Sequence, residues 1–381
     1  VRFTLRRVRA PRPVAGCLLV GLLVSGLAGC ADAVPQVEPS QPVAAAPSGS
    51  ETASPETTAP PPPAASPTDD GPLTLAFGGD VHFATKLAPL LDAPGTALDG
   101  LEPYLAAADV AMVNLETAIT TRGSEMPKQF HFRAPATSLT ALDAAGVDVV
   151  TMANNHAVDY GEVGLRDTLA ARERSPIPVV GLGEDAADAY AAAVLDVRGT
   201  RVAVLGATQV PDWTLATWPA SSARPGVAEA ASPARLATAV RAARTKADVV
   251  VVYLHWGTDY TTCPNALQKR TARALADAGA DVVVGTHAHR VQGAGWLGST
   301  YVAYGLGNFV WWRRNSVADA TSGVLTLDVE GRRVAAARWV PMLVGADGIP
   351  REPDAATSRR MQRDWVDARA CTGLSSRPSS S

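Results

Sequence analysis

Five of the six histidines in this chain stand in short polar motifs, each placed directly after an apolar run. The motifs are Gly78-Gly79-Asp80-Val81-His82, Asn114-Leu115-Glu116, Asn154-Asn155-His156-Ala157-Val158-Asp159, His255-Trp256-Gly257 and Gly285-Thr286-His287-Ala288-His289. Imidazole mixed with carboxylate and amide oxygen suits a divalent Mn, Fe or Zn ion, and the lack of thiolates disfavours a purely structural zinc. The donors outnumber what one tetrahedral ion takes, so a pair of divalent metal ions roughly 3.5–4 Å apart fits the inventory. Paired ions generate hydroxide near neutral pH and neutralise charge developing on a phosphoryl or acyl oxygen. Each motif alone has a plainer reading: Asp80 as a helix cap, Asn154-Asn155 as a turn, a single histidine as a hydrogen-bonded residue. Their recurrence at five places favours a shared centre.

The segments that must position these residues are legible too. Apolar runs at 73–80, 108–114, 147–152, 177–181, 201–206, 248–254, 281–285 and 300–304 have the two-faced character of buried strands. Between them, stretches at 135–145, 161–174, 233–246 and 264–279 carry apolar residues at helical spacing, with Gly279 where a helix ends. Alternating strands and helices imply a mostly parallel α/β sheet covered on both faces. Ligands bind such sheets beyond the carboxyl ends of the strands, where the polar motifs fall. Residues 322–340 read as a β-hairpin turned at Glu330-Gly331, so the sheets are mixed. A helix near 357–370 and a disordered Ser-rich end complete the chain.

Of 381 residues 47% are hydrophobic, enough for a sizeable core, and the net charge is −3 from 34 basic and 37 acidic side chains. That balance argues against a nucleic-acid partner, which calls for a basic stripe. Residues 1–29 have the form of a signal peptide: Arg2, Arg6, Arg7, Arg9 and Arg12, then an apolar run at 14–28. Leu27-Ala28-Gly29-Cys30 resembles the bacterial lipobox, which implies lipidation of Cys30 and a membrane anchor on the extracytoplasmic face. A plain secretory signal is the alternative. Residues 30–72 read as a disordered Pro/Ala/Ser-rich tether, with eleven of the 29 prolines within 31–72. Beyond the signal and Cys30, Cys263 and Cys371 remain, either as a disulfide or as two thiols.

The ordered set of motifs resembles the CapA family, the poly-γ-glutamate synthesis or capsule biosynthesis proteins of the calcineurin-like metallophosphoesterase superfamily. It is carried by Gly79-Asp80, Asn114-Leu115-Glu116, the 154–159 motif, His255-Trp256-Gly257-Thr258-Asp259-Tyr260, the 285–289 motif and Tyr304-Gly305-Leu306-Gly307-Asn308-Phe309. The resemblance implies a metallophosphatase-like sandwich of two mixed β-sheets flanked by helices, spanning 73–345, with 346–381 as a C-terminal helix and disordered tail. It implies that Asp80, His82 and His289 hold one metal and Asn155, His255 and His287 the other. His156 would be the unligated acid, and Asn114, Asn154, Asp159 and Asn308 would contact substrate. The superfamily's Gly-Asp-x-x-Asp motif is absent, and Glu116 stands in its place as the implied bridge. Asp259 and Gly305 stand where Glu and Ser are more usual. Lys128, His131 and Arg133 form a basic, strand-like segment that either contacts an anionic substrate or faces solvent.

Two functional classes stay open at this level. One is a surface-anchored metal-dependent hydrolase acting on an anionic cell-envelope polymer or phosphoester. The other is a non-catalytic, membrane-anchored component of a capsule or polyglutamate synthesis and export complex.

Overall fold

The computed structural model describes residues 2–4 and 71–379. Most of the expected signal peptide, Cys30 and nearly all of the tether lie outside the described residues. Among the described residues no helix is long and apolar enough to cross a membrane.

Two mixed sheets carry the site. In the first, Thr200–Thr208, Val249–Trp256, Val282–His287 and Thr300–Ala303 run parallel. Ala193–Val197 and Ala294–Leu297 pair antiparallel at its sides, and Arg2–Thr4 pairs with Ala193–Val197. In the second, Leu73–Val81, Val110–Leu115, Val149–Thr151 and Val179–Val180 run parallel. The hairpin of Thr321–Glu330 and Arg333–Val344 adds to it antiparallel, as its alternating sequence implies.

Alternation along each strand explains the layering. Val249, Val251 and Tyr253 face a core shared by both sheets, with Phe77, Met112 and Leu325 from the second. Their neighbours Val250, Val252 and Leu254 face outward into a core under the helices Pro233–Arg244 and Ala266–Ala278. The second sheet is covered likewise by Thr137–Ala144 and Gly161–Glu173, whose Leu139, Leu142, Leu165 and Leu169 pack against Val113 and Val150. Period-two burial on both faces is what the continuous apolar runs encode. The result is a mixed α/β sandwich with helices on its outer faces.

The C-terminal segment departs from expectation. Rather than trailing off, Ser375 exchanges backbone hydrogen bonds with Trp296 and the Ser379 N–H donates to Gly298. Cys371 forms a disulfide with Cys263, tying this segment to the loop after Val249–Trp256. The polar composition suggests disorder, but the cross-link and the open sheet edge supply partners that composition does not reveal. The segment around Lys128 also differs: only Arg133–Ala134 pairs as strand, with Ala118–Ile119.

Candidate metal centre

Asp80 closes the strand Leu73–Val81 and is fully buried. The register against Val110–Leu115 shifts between Phe77 and Asp80, and this irregularity aims the carboxylate across the strand end. The shift needs Gly79, where a Cβ would lie 2.0 Å from the Gly307 carbonyl oxygen. Asp80 Oδ1 accepts from Asn114 Nδ2 at 2.7 Å, and Oδ2 accepts from the His287 backbone N–H at 3.0 Å. Three strand ends are thereby fastened together by one carboxylate.

Around it the structure gathers three sets of donors, each compact enough to hold a metal ion: Glu116, His255 and His287; Asp80, Glu116 and His289; Asp259, His287 and His289. Glu116 belongs to the first two. Its carboxylate is fully buried and neither oxygen accepts a hydrogen bond. The nearest histidine nitrogens are His255 Nε2 at 3.5 Å and His156 Nε2 at 3.6 Å. A buried carboxylate without donors is expensive, and a divalent ion is a group that would satisfy it. His287 Nδ1 is also buried without a hydrogen-bond partner, while its Nε2 lies 3.1 Å from Asp259 Oδ1. The residues present therefore fit a metal.

The electrostatics agree. Burial, and then the neighbouring histidine rings, push His287 well below the ordinary imidazole pKa, keeping it in the neutral form that ligates. Burial works against a charged His255, but the adjacent Glu116 and Asp80 carboxylates outweigh it and raise the ring to about 9. Burial would raise Asp80, yet His255, His289 and Asn114 together hold it below the usual carboxylate range. Asn155 Oδ1 accepts from His255 Nε2 at 2.8 Å, so the expected amide donor also joins the cluster. The backbone adds strain: His287 and His289 have φ of 83° and 50°, a region that disfavours side chains with a Cβ.

His156 stands apart from the three donor sets. Its Nδ1–H donates to Asp159 Oδ2 at 2.6 Å, which leaves Nε2 as the nitrogen on the Glu116 side. Asp159 also accepts from the Phe132 backbone N–H at 2.7 Å. Its other oxygen pairs with Lys128 Nζ at 2.9 Å. Lys128 neither faces solvent nor is free for a substrate. It is mostly buried, pairs with Asp212 at 2.9 Å, and donates to the Asn155 carbonyl. Of its neighbours, His131 donates to the Met126 carbonyl and the Arg133 guanidinium lies over the Tyr160 ring.

His82 joins none of the three donor sets. Its ring stacks on Phe132 with centroids 4.4 Å apart and meets Trp311 edge-on, while Nδ1 accepts from the Ala84 N–H. Its Nε2 is buried without a hydrogen bond, and the ring sits in an aromatic slot beside the three donor sets. Asn114, Asn154, Asp159 and Asn308, expected to touch substrate, are almost fully buried and already bonded within the protein. Asn114 holds Asp80, Asn154 bonds Asn114 and the His156 N–H, Asp159 holds His156, and Asn308 accepts from His289. They position donors, although Asn308 also lines the cleft. Asp259 is a donor that strand-end reasoning does not pick out as a site residue. Its signal is the spacing His255-x-x-x-Asp259. The cleft above the centre has a cavity volume of roughly 90 Å³ and is walled by Phe132, Trp311 and Trp312.

A two-sheet α/β sandwich with clustered histidines and carboxylates at its parallel strand ends is thus in place. Residues 74–311 match the family model described as bacterial capsule synthesis protein PGA_cap, and the chain belongs to that family. It is 33% identical over 246 residues to the PGA biosynthesis protein CapA of Bacillus subtilis (strain 168), covering 63% of this chain and 64% of that protein. It is 32% identical over 247 residues to the capsule biosynthesis protein CapA of Bacillus anthracis, covering 62% of this chain and 59% of that one. The chain thus matches somewhat under two thirds of the length of these relatives. Among solved structures, a hypothetical protein from Thermus thermophilus superposes with a TM-score of 0.45 at 19% identity, covering 71% of this chain and 98% of that one. A putative 5'-nucleotidase from Staphylococcus aureus gives 0.44 at 17%, covering 77% and 58%.

Proposed function

We propose that this chain is a lipid-anchored protein on the extracytoplasmic face of the cell membrane that acts on an anionic envelope polymer, poly-γ-glutamate or a related capsule chain, as a metal-dependent hydrolase. The observation that carries the reading is Glu116, a buried carboxylate with no hydrogen bond that is shared by two donor sets. The family and the names of its relatives support the polymer, since two of them are described by PGA or capsule biosynthesis. Cys30 and the proline-rich stretch after it support anchoring at a distance from the membrane.

Asp80, Glu116, His255, His287 and His289 would hold a pair of divalent ions, with Asn155 and Asp259 as further oxygen donors. Bound there, such ions supply Lewis acidity and a water of lowered pKa. The protein's own part is orientation and proton supply. Asp159 fixes the His156 ring through Nδ1, so that Nε2 can carry a proton to a leaving group. Lys128 balances the charge of Asp159, and Phe132 and the two tryptophans shield the centre from water.

The test uses the full chain with its bound metals measured. Hydrolysis of poly-γ-glutamate or a generic phosphodiester should depend on metal and fall by about 100-fold or more in His156→Ala. Metal at stoichiometric level with no turnover that depends on His156 would overturn the hydrolase reading and favour a non-catalytic component of polymer export.

A further inference from the structure

The mouth of the cleft holds a cation that the metal chemistry does not use. Arg313 follows Trp311 and Trp312 and lines the same cleft as His287 and His289. Its guanidinium lies 5.9 Å from the Phe130 ring centroid and 6.0 Å from that of Tyr260. Nη1 donates to the Tyr260 hydroxyl at 3.3 Å, a long bond, and no ion pair to an acid is formed by Arg313 among the described residues. The neighbouring Arg290 is different: its Nη1 is taken up by Asp319 at 2.7 Å and by the His289 carbonyl, while its guanidinium lies 4.9 Å from the Tyr260 ring centroid.

Phe130 and Tyr260 are among the few large apolar side chains left exposed, at 41% and 47%. They come from segments remote in sequence and both flank the Arg313 guanidinium, with Tyr260 shared between Arg313 and Arg290. Tyr260 is held there by a backbone at φ 61° and by its N–H donating to the Ala288 carbonyl, next to His287 and His289. A cation flanked by aromatic rings keeps its in-plane donors for a ligand, and guanidinium binds oxyanions in a bidentate fork.

We infer that Arg313, set between Phe130 and Tyr260, is the specificity residue of the cleft, gripping an oxyanion of the substrate while the rings cover the apolar carbons beside it. This rests on the polymer-hydrolase reading and narrows it to a chain that bears a free acid group within reach of the scissile bond. A γ-linked glutamate chain meets that description, with a carboxylate on each unit and methylenes between. A phosphodiester chain presents the same oxyanion chemistry.

The experiment is a calorimetric titration of the metal-loaded full chain with three probes: a γ-linked glutamate oligomer, its neutral carboxamide counterpart, and a glycerol-phosphate oligomer. Wild type should bind the acid form at least tenfold tighter than the amide form. Arg313→Gln should lose that tenfold with metal content and melting temperature unchanged, and Arg313→Lys should recover only part of it. Preference for the phosphodiester, again lost in Arg313→Gln, would uphold the oxyanion role and assign it to phosphate. Equal binding of acid and amide, or an unaltered Arg313→Gln, would overturn the inference. A failure of the metal reading shows separately, as a wild type that takes up no divalent ion.

Discussion

Glu116 Oε1 lies 3.5 Å from His255 Nε2 at the centre of the strand-end cluster, with both residues buried and the carboxylate accepting no hydrogen bond. That spacing exceeds a good N–H···O bond and leaves room for a shared third partner. Glu116→Gln keeps the shape and removes the charge. It should weaken divalent metal binding by at least about tenfold, the lower end of what even outer partners of metal sites contribute. Equilibrium dialysis with Mn or Zn reads this directly, and wild-type affinity would remove Glu116 from the centre.

The charge state of His255 gives a pH signature with opposite signs in the two forms. Its folded pKa is raised to about 9, from an ordinary value near 6.5. In the metal-free protein this group's stabilisation is therefore complete below pH ~6.5 and is lost as pH rises through about 9. Metal must displace that proton, so metal affinity should climb over the same window. Melting of the metal-free chain at pH 6 and pH 9, beside metal titrations at both, checks the pair of trends. Metal affinity that is flat from pH 6 to 9 would contradict the assignment.

Gly79→Ala should be disproportionately damaging for a one-methyl change. The added Cβ meets the Gly307 carbonyl oxygen at 2.0 Å, which is backbone and cannot swing away. Asp80 N–H donates to that same carbonyl at 3.0 Å, so relief of the clash moves the aspartate. The expected cost is about 1–3 kcal/mol in urea unfolding, together with weaker metal binding. Normal stability and normal metal uptake would show that the close approach is not needed.

The Cys263–Cys371 disulfide closes a separation of 108 residues. Replacing both cysteines by serine should cost about 2–5 kcal/mol, measured by denaturant unfolding. The loss should come with earlier proteolysis of the segment around Ser375, which otherwise pairs with Trp296. A double variant as stable as wild type, with the tail still protected, would contradict this.

Much of this arrangement can be read from the residues alone, and the rest cannot for physical reasons. Parallel strands buried on both faces leave continuous apolar runs, so Val249–Trp256 and Val282–His287 are visible, and so are the polar residues that end them. Tertiary pairing leaves no such local trace. Lys128 is held by Asp159 and Asp212, far along the chain, and a basic hexapeptide gives no hint of that. The burial of Asn114 and Asn154 is hidden for the same reason, since an asparagine bonded inside and one offered to a substrate have identical local sequence. His82 illustrates the limit at a single position: its motif places it two residues from Asp80, but it lies just past the end of Leu73–Val81 and its ring stacks on Phe132 in the aromatic slot.

Anomalous diffraction from crystals of the full chain grown with Mn tests the central claim most directly. Two peaks should appear beside Glu116, one reached by Asp80 and His289 and the other by His255 and His287. Absence of anomalous density within coordination distance of Glu116, at saturating Mn and with these side chains placed as described, would contradict it.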